Sequence, residues 1–401
     1  MPLREGMCPL EGVRVVDLTH YEAGPTCTLL LAFLGAEVIK IEHPVYGKSN
    51  RHMFHDEGAN DDLYFVLMNL NKKSITLNLE TDEGRAIFNT LIKKSDVLVE
   101  NFGIEKMKTW GVCEERLAEY NPRLIYASVS GYGSYGSHVR YPALDMTAQA
   151  MGGIMSITGN KDQEPLRCGA NVGDSSGGTN LALAVVAALY MREKTGKGGR
   201  VEVSLQDSVV NLGRSLLGTH IAFGSNARKE GNELADIVPW NIYRSRDNGY
   251  VAICVIKQKM FEKLMTVIGH KDLIDRYGLY SLRKRKENRL IVEKCLREWV
   301  SHKTKKEVME TLCRNNISCG VVQDALEISD DSHLHQREMI VEIEHYQWGK
   351  IKVLGCPVKM SGTTTKIESS PRMGQHNREV YTELLGLSTE DISAMERKMV
   401  I

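Results

Sequence analysis

The first half of the chain alternates between two periodicities, and that alternation constrains the fold more than any other feature. Strand-like runs stand at "VRVVDLT" from residue 13, "AEVIKIE" from 36, "KSITLNL" from 73, "DVLVENF" from 96, "LIYASVSG" from 124 and "RVEVSL" from 200. Helix-like segments fall between them, among them "TCTLLLAFLG" from 26, "EGRAIFNTLIKKS" from 83 and two stretches around Met146 and Leu183. Short β-branched runs interleaved with amphipathic helices predict parallel strands, because parallel neighbours need a crossover and the crossover helix buries its apolar stripe on the sheet. The fold class is therefore α/β, with a Rossmann-like large domain whose parallel sheet is covered on both faces.

A chain of 401 residues exceeds one ordinary core. The alternation lapses between Gly213 and Gly231, in "RSLLGTHIAFGSNARKEGNE", which reads as a crossing segment. "NGYVAICVIKQKMFEKLMTVIG" and the charged helices of 284–314 then form a smaller α/β unit. From about Tyr346 strand-like alternation returns, and "EVYTELLGLSTEDISAMERKMVI" closes as helices. The expected organisation is a large domain begun by residues 1–215, a small domain over 216–330, and a return segment, 331–401, packing on the large domain.

Charge excludes some functions. Lys and Arg number 51 against 51 Asp and Glu, which gives no support for nucleic-acid or anionic-membrane binding. The run "RKRKENR" at 283 lacks interleaved aromatics and reads as a solvated helix face. Nine cysteines, an odd number without a C-x-x-C pair, argue against a disulfide framework and for a reducing cytoplasm. The opening "MPLREGMCPLEG" has no apolar signal region, and the longest apolar run, Leu181 to Met191, is shorter than the ~20 residues of a membrane span. No H-E-x-x-H or paired-ligand spacing supports a metal site, no G-x-S-x-G marks a serine hydrolase, and no G-x-G-x-x-G follows the first strand.

The densest chemistry lies in "GANVGDSSGGTNLALAVVAALYMREKTGKGG", where Asp174 opens a long apolar helix and Gly196 and Gly198 supply its stop. Two readings of Asp174 stand side by side. As an N-cap, its carboxylate accepts from the free N–H groups of the first turn. As a nucleophile, it is kept ionised by the helix dipole beside glycines that let a substrate approach closely.

"GVRVVDLTHYEAGPTCTLLLAFLGAEVIKIEHP", "NLNKKSITLNL", "DVLVENF", "NPRLIYASVSGYG", "YPALDMTAQAMGG", "GDSSGG" and "MREKTGKGGRVEVSLQDSVV" together resemble the class III CoA-transferase family, of the CaiB/BaiF type, over roughly the first 210 residues. "PRMGQHNREVYTELLGL" at 371 resembles the family's C-terminal signature. The resemblance implies transfer of CoA from an acyl-CoA donor to a free carboxylic acid, with Asp174 as the nucleophile that passes through mixed anhydrides and an aspartyl-CoA thioester. It implies no permanently bound cofactor, the coenzyme A thioester being substrate, and an interlocked homodimer. Residues matching the family's CoA cradle are His20, Ala23, Arg51, Leu77, Asn101 and Phe102. Arg51, Lys72 and Lys73 are candidate partners for the CoA phosphates or ordinary surface charge. Asp145 matches a second acidic or amide residue near the nucleophile and also suits the N-cap of its own helix. Glu22 stands where the family's formyl-CoA transferases carry glutamine, and the glycine run between their halves is absent here. The added charge disfavours a dianionic acceptor. An acyl-CoA racemase of the same fold and a non-catalytic CoA-binding protein are the rival readings; the racemase G-H-D pattern near "SGYG" is missing, with His138 lying outside it, and Asp174 is present.

Overall fold

The computed structural model describes residues 8–52, 61–363 and 365–401. The chain divides into two compact units, one of residues 1–154, 167–225 and 332–401, the other of residues 155–166 and 226–331.

The first unit is built on six parallel strands: β1 (Arg14–Leu18), β2 (Glu37–Glu42), β3 (Lys72–Thr76), β4 (Val97–Glu100), β5 (Ile125–Ser130) and β6 (Gly199–Ser204). Their order is β3-β2-β1-β4-β5-β6. The sheet thus grows one way from β1 and then the other way from β4, and the crevice outside the ends of β1 and β4 is the topological switch point where such sheets bind ligands.

Strand alternation separates two cores. Val15, Val38, Val97, Ile125 and Ala127 face one layer, where Leu31 of the Ala23–Phe33 helix and Leu181 and Val185 of the Val172–Thr195 helix are buried. Val16, Ile39, Ile75 and Leu98 face the other, against Ile87, Phe88 and Leu91 of the Asp82–Lys93 helix. That helix starts where the Thr81 hydroxyl accepts from Gly84 N, with Asp82 and Glu83 at the positive end of its dipole and Lys93 at the other. Each fully buried aliphatic side chain contributes about 1.5–3 kcal/mol. Val380, Tyr381, Ile392, Val400 and Ile401 lie in this second core too. A hairpin of β10 (Ile340–His345) and β11 (Gly349–Leu354) completes the unit's strands among the described residues.

The second unit has an antiparallel sheet, β7 (Trp240–Arg244), β8 (Tyr250–Cys254) and β9 (Cys319–Val321), in that order. Phe261, Leu264, Val292, Leu296 and Leu312 fill its core. One expectation fails here. The basic run at 283 is not wholly solvated: Arg285 is buried, donates to the carbonyls of Val238, Val255 and Ile256, and stacks on Phe261. Its guanidinium satisfies carbonyls that β-sheet pairing leaves open, which composition cannot reveal.

No helix among the described residues is long and apolar enough to cross a membrane, and no group of three or more His, Cys, Asp or Glu among them is placed to hold a metal ion.

Candidate active site

The loops leaving β1 and β4 are tied together by one side chain. Asn101, just after β4, accepts from His20 N at 2.9 Å and donates to His20 O at 2.7 Å, so a single amide closes both backbone groups of a residue two places beyond β1. The ring of His20 lies against Tyr21 and Phe102, with centroids 4.3 and 4.4 Å away. Tyr21 sits at φ 62°, a left-handed conformation costly for an aromatic residue, and the structure around it holds that strain.

Three hollows open along this crevice. One of about 190 Å³ is lined by His20, Tyr21, Leu77, Phe102 and Trp110, among others. His20 Nδ1 and Trp110 Nε1 are buried there without a hydrogen-bond partner, and burial and Lys40 hold the imidazole pKa down at about 4. A smaller hollow of about 120 Å³ has walls from His20, Ala23, Asn101, Gly131, Leu144 and Asp174. The third, about 640 Å³, is bordered by Asn101, Phe102, Lys108, Arg140, Tyr141 and Arg200.

Asp174 is half-buried in the first turn of the Val172–Thr195 helix. It is not the N-cap, which is Asn171. The capping is done from another helix: Asp145 Oδ1 accepts from Gly173 N at 2.7 Å and Asp174 N at 3.2 Å. Asp145 likewise does not cap its own helix, where Leu144 holds that position; its second oxygen accepts from Gln149 Nε2 at 2.7 Å. Both expected caps fail because the chain enters the helical conformation before the carboxylate: the N-cap falls one residue ahead of Asp145 and three ahead of Asp174.

Glu22 completes the group. Buried, it accepts from Asn171 Nδ2 at 2.6 Å, Ser175 Oγ at 2.9 Å and Tyr64 OH at 3.4 Å. Burial, then the negative charges of Glu22 and Asp145, push the Asp174 pKa up to about 7. Desolvation and two like charges thus act against the helix dipole, which favours the ionised form. No donor among the described residues meets the Asp174 carboxylate oxygens.

The motif's glycines have a different duty from the one expected. A Cβ on Gly178 would stand 2.4 Å from Ala23 O, and one on Gly177 2.7 Å from Leu205 Cδ2. They let helices approach closely; Gly196, at φ 72°, ends the helix in the left-handed cap.

Of the expected cradle, His20, Ala23, Leu77, Asn101 and Phe102 line these hollows. The three expected phosphate partners do not. Arg51 is buried, bonded through two nitrogens to Glu42 and through a third contact to Asp61, and stacked on Phe65. Lys72 is fully buried against Asp17 at 2.9 Å, Thr28 and Asn69. Lys73 is held by Glu37 and Glu379 at 2.6 and 2.5 Å. Their charge is neutralised internally, so they offer no free cation to a ligand. Lys108 and Arg140 are exposed beside the third hollow and have no salt-bridge partner among the described residues, and sequence reading did not single them out. No motif marks them; only their place after β4 and β5 does.

A family model described as CoA-transferase family III matches residues 10–377. Formyl-CoA:oxalate CoA-transferase of Streptomyces coelicolor is 38% identical over 410 residues, covering 98% of this chain and 99% of the relative. The protein of the same name from Rhodopseudomonas palustris strain HaA2 is 36% identical over 412 residues, covering 96% and 95%. Among solved structures, a CAIB/BAIF family protein from Brucella suis aligns with a TM-score of 0.84 at 28% identity, over 95% of this chain and 100% of that one. A hypothetical protein from Mycobacterium tuberculosis aligns at 0.80 and 28% identity, over 94% and 100%. A six-stranded parallel sheet, a crevice at its switch point and a family match spanning most of the sequence agree: the chain belongs to CoA-transferase family III, and it is a CoA-transferase.

Proposed function

We propose that this protein moves CoA from an acyl-CoA donor to a carboxylic acid through covalent intermediates on Asp174. The observation that carries the reading is an unpaired carboxylate lining a small hollow at the switch point, with two more carboxylates beside it. Asp174 attacks the thioester carbonyl, forming a mixed anhydride and expelling CoA thiolate. The thiolate then attacks the Asp174 carbonyl, releasing the donor acid and leaving an aspartyl-CoA thioester. The acceptor carboxylate attacks that thioester, and a second anhydride exchange delivers the new acyl-CoA and restores Asp174.

Electrostatics favour each forward acylation. Ionised Asp174 is raised in energy by burial, Glu22 and Asp145, and every acyl derivative of it is neutral, so acylation relieves the repulsion. A carboxylate with a pKa near 7 is also a stronger nucleophile than an ordinary one. Oxyanion donors are not the amides of Gly173 and Asp174, which Asp145 occupies. The main chain at Gly131, in the wall of the same hollow, is the candidate.

In this reading the nucleotide and pantetheine of CoA lie along His20, Ala23, Leu77, Asn101 and Phe102, with Lys108 and Arg140 meeting phosphates. The orphaned nitrogens of His20 and Trp110 fit a polar heterocyclic ligand. Oxalate, in the relatives' name, carries two charges; Glu22 and Asp145 make a monocarboxylic acceptor the better fit here. The proposal includes a homodimer with interlocked chains, supported by the exposed Leu183, Tyr190, Ile221 and Phe223 on the first unit. The proposed compartment is the cytoplasm, in keeping with nine free cysteines.

Hydroxylamine tests the covalent step, because it cleaves thioesters and anhydrides and leaves free carboxylates alone. Protein incubated with acyl-CoA and then hydroxylamine gains a hydroxamate on the peptide containing "GDSSGG". A substrate-dependent hydroxamate on another peptide overturns the assignment.

A further inference from the structure

The second unit carries a pair of thiols that the CoA chemistry does not use. The Lys305–Arg314 helix ends with Asn315 as its C-cap, Asn316 at φ 55°, Asn316 N donating to Cys313 O at 2.9 Å and Ile317 N donating to Leu312 O at 3.0 Å. This is a Schellman turn with asparagine in the left-handed position, and the buried Ile317 secures it. The turn sends the chain back along the last helical residues into β9, whose first residue is Cys319. Cys313 Sγ and Cys319 Sγ are consequently 3.7 Å apart.

We propose that Cys313 and Cys319 form a reversible dithiol–disulfide site, oxidised by hydroperoxides. A disulfide bond is about 2.05 Å long, so the sulfurs need to close by about 1.7 Å, within the swing of a thiol about its own χ1. Cys313 is exposed and Cys319 partly buried, an accessible attacking thiol backed by a sheltered resolving one. Burial and the neighbouring Cys313 push the Cys319 thiol up to about 12, so oxidation begins at Cys313. The Cys313 thiolate attacks the peroxide oxygen, giving a sulfenic acid and releasing the alcohol or water. The Cys319 thiol then displaces that hydroxyl as water. Two thiols lose two electrons and the peroxide gains them. The product ties the end of the helix to β9, the edge strand of its sheet. Cys254, on the adjoining β8, is the competing partner, since its charge also acts on Cys319.

Arg314 lies between the two cysteines, which makes the test direct. Tryptic digestion separates a peptide ending at Arg314 from one beginning at Asn315, unless a disulfide joins them. Full-length protein treated with stoichiometric hydrogen peroxide, then alkylated and digested, is expected to yield the joined pair, and dithiothreitol to abolish it. In Cys319→Ser the oxidation stops at Cys313, and dimedone labels it. Dimedone labelling of wild-type Cys313 with no joined peptide overturns the proposal, as does a bridge from Cys319 to the Cys254 peptide.

Discussion

Two groups of charged side chains lie within the first unit, and they are handled in opposite ways. Beneath the strand ends, Asp17 is fully buried, yet Lys72 at 2.9 Å, Lys40 at 3.9 Å and the hydroxyls of Thr19 and Thr28 surround it. Burial alone would raise its pKa; Lys40, Lys72 and the two hydroxyls outweigh that and hold it down at about 2. Around Asp174 burial acts in the same direction, but the charged neighbours are Glu22 and Asp145, and the pKa goes up to about 7. Compensated charge fixes the architecture. Uncompensated charge of one sign is free energy stored against folding, retained where chemistry uses it.

The sharpest way to break the comparison is to remove one charge from each group. Asp174→Asn keeps shape and most polarity but deletes the attacking carboxylate, so turnover should fall by about three orders of magnitude or more while the protein stays folded and binds CoA. Full activity in that variant would remove Asp174 from the mechanism. Lys72→Met, in the compensated group, should cost about 3–5 kcal/mol of stability, because Asp17 is left buried beside a weaker partner. Denaturant titration reads that loss, and an unchanged midpoint would mean that Asp17 finds another cation or a proton at no cost.

The same contrast explains what the sequence could disclose. Strand runs such as "VRVVDL" and "EVIKIE" were legible because β-branched residues buried on both faces need no knowledge of partners. Asp174, Glu22, His20 and Asn101 were legible because they sit in ordered motifs. What was not legible is which charges are paired. Arg51 is neutralised by Glu42, Asp61 and the carbonyl of Pro371, and Lys73 by Glu37 and Glu379, partners up to 320 residues away. Asp145 serves a helix that begins 27 residues later, at Val172. Tertiary pairing decides whether a cation is a ligand site or a rivet, and composition carries no record of it.

A smaller perturbation sharpens the electrostatic side. Glu22→Gln removes one of the two negative neighbours, keeps an oxygen to accept from Asn171 and turns an amide N–H toward the Ser175 hydroxyl, which can accept it, so the Asp174 pKa should drop by about one unit. The acid limb of the pH profile for hydroxamate formation, which rises as Asp174 ionises near pH 7, should move down with it. The rate with oxalate should improve relative to a monocarboxylic acid by about tenfold, the same energy as one pKa unit. A profile that does not move would mean that burial alone sets the Asp174 pKa.

The subtlest effect is on stability, and its sign separates the two groups most cleanly. Asp174 has a pKa of about 7 in the folded protein against 3.8 for an unperturbed carboxyl, so between those values the native state binds more protons than the unfolded chain. Stability therefore falls as pH rises through that window, and above pH 7 the fold carries the full penalty of an ionised Asp174. Asp174→Asn cannot ionise and escapes it. The variant should melt a few degrees above wild type at pH 8 and together with it at pH 4. For Asp17 the sign reverses: its depressed pKa supplies stability at neutral pH that is lost only as pH falls toward 2. Melting curves of wild type and Asp174→Asn across pH 4–8 should therefore diverge toward the alkaline end. Curves that stay parallel would show that the Asp174 carboxylate is solvated well enough to lose its proton without cost, and the stored repulsion would no longer be available to the reaction.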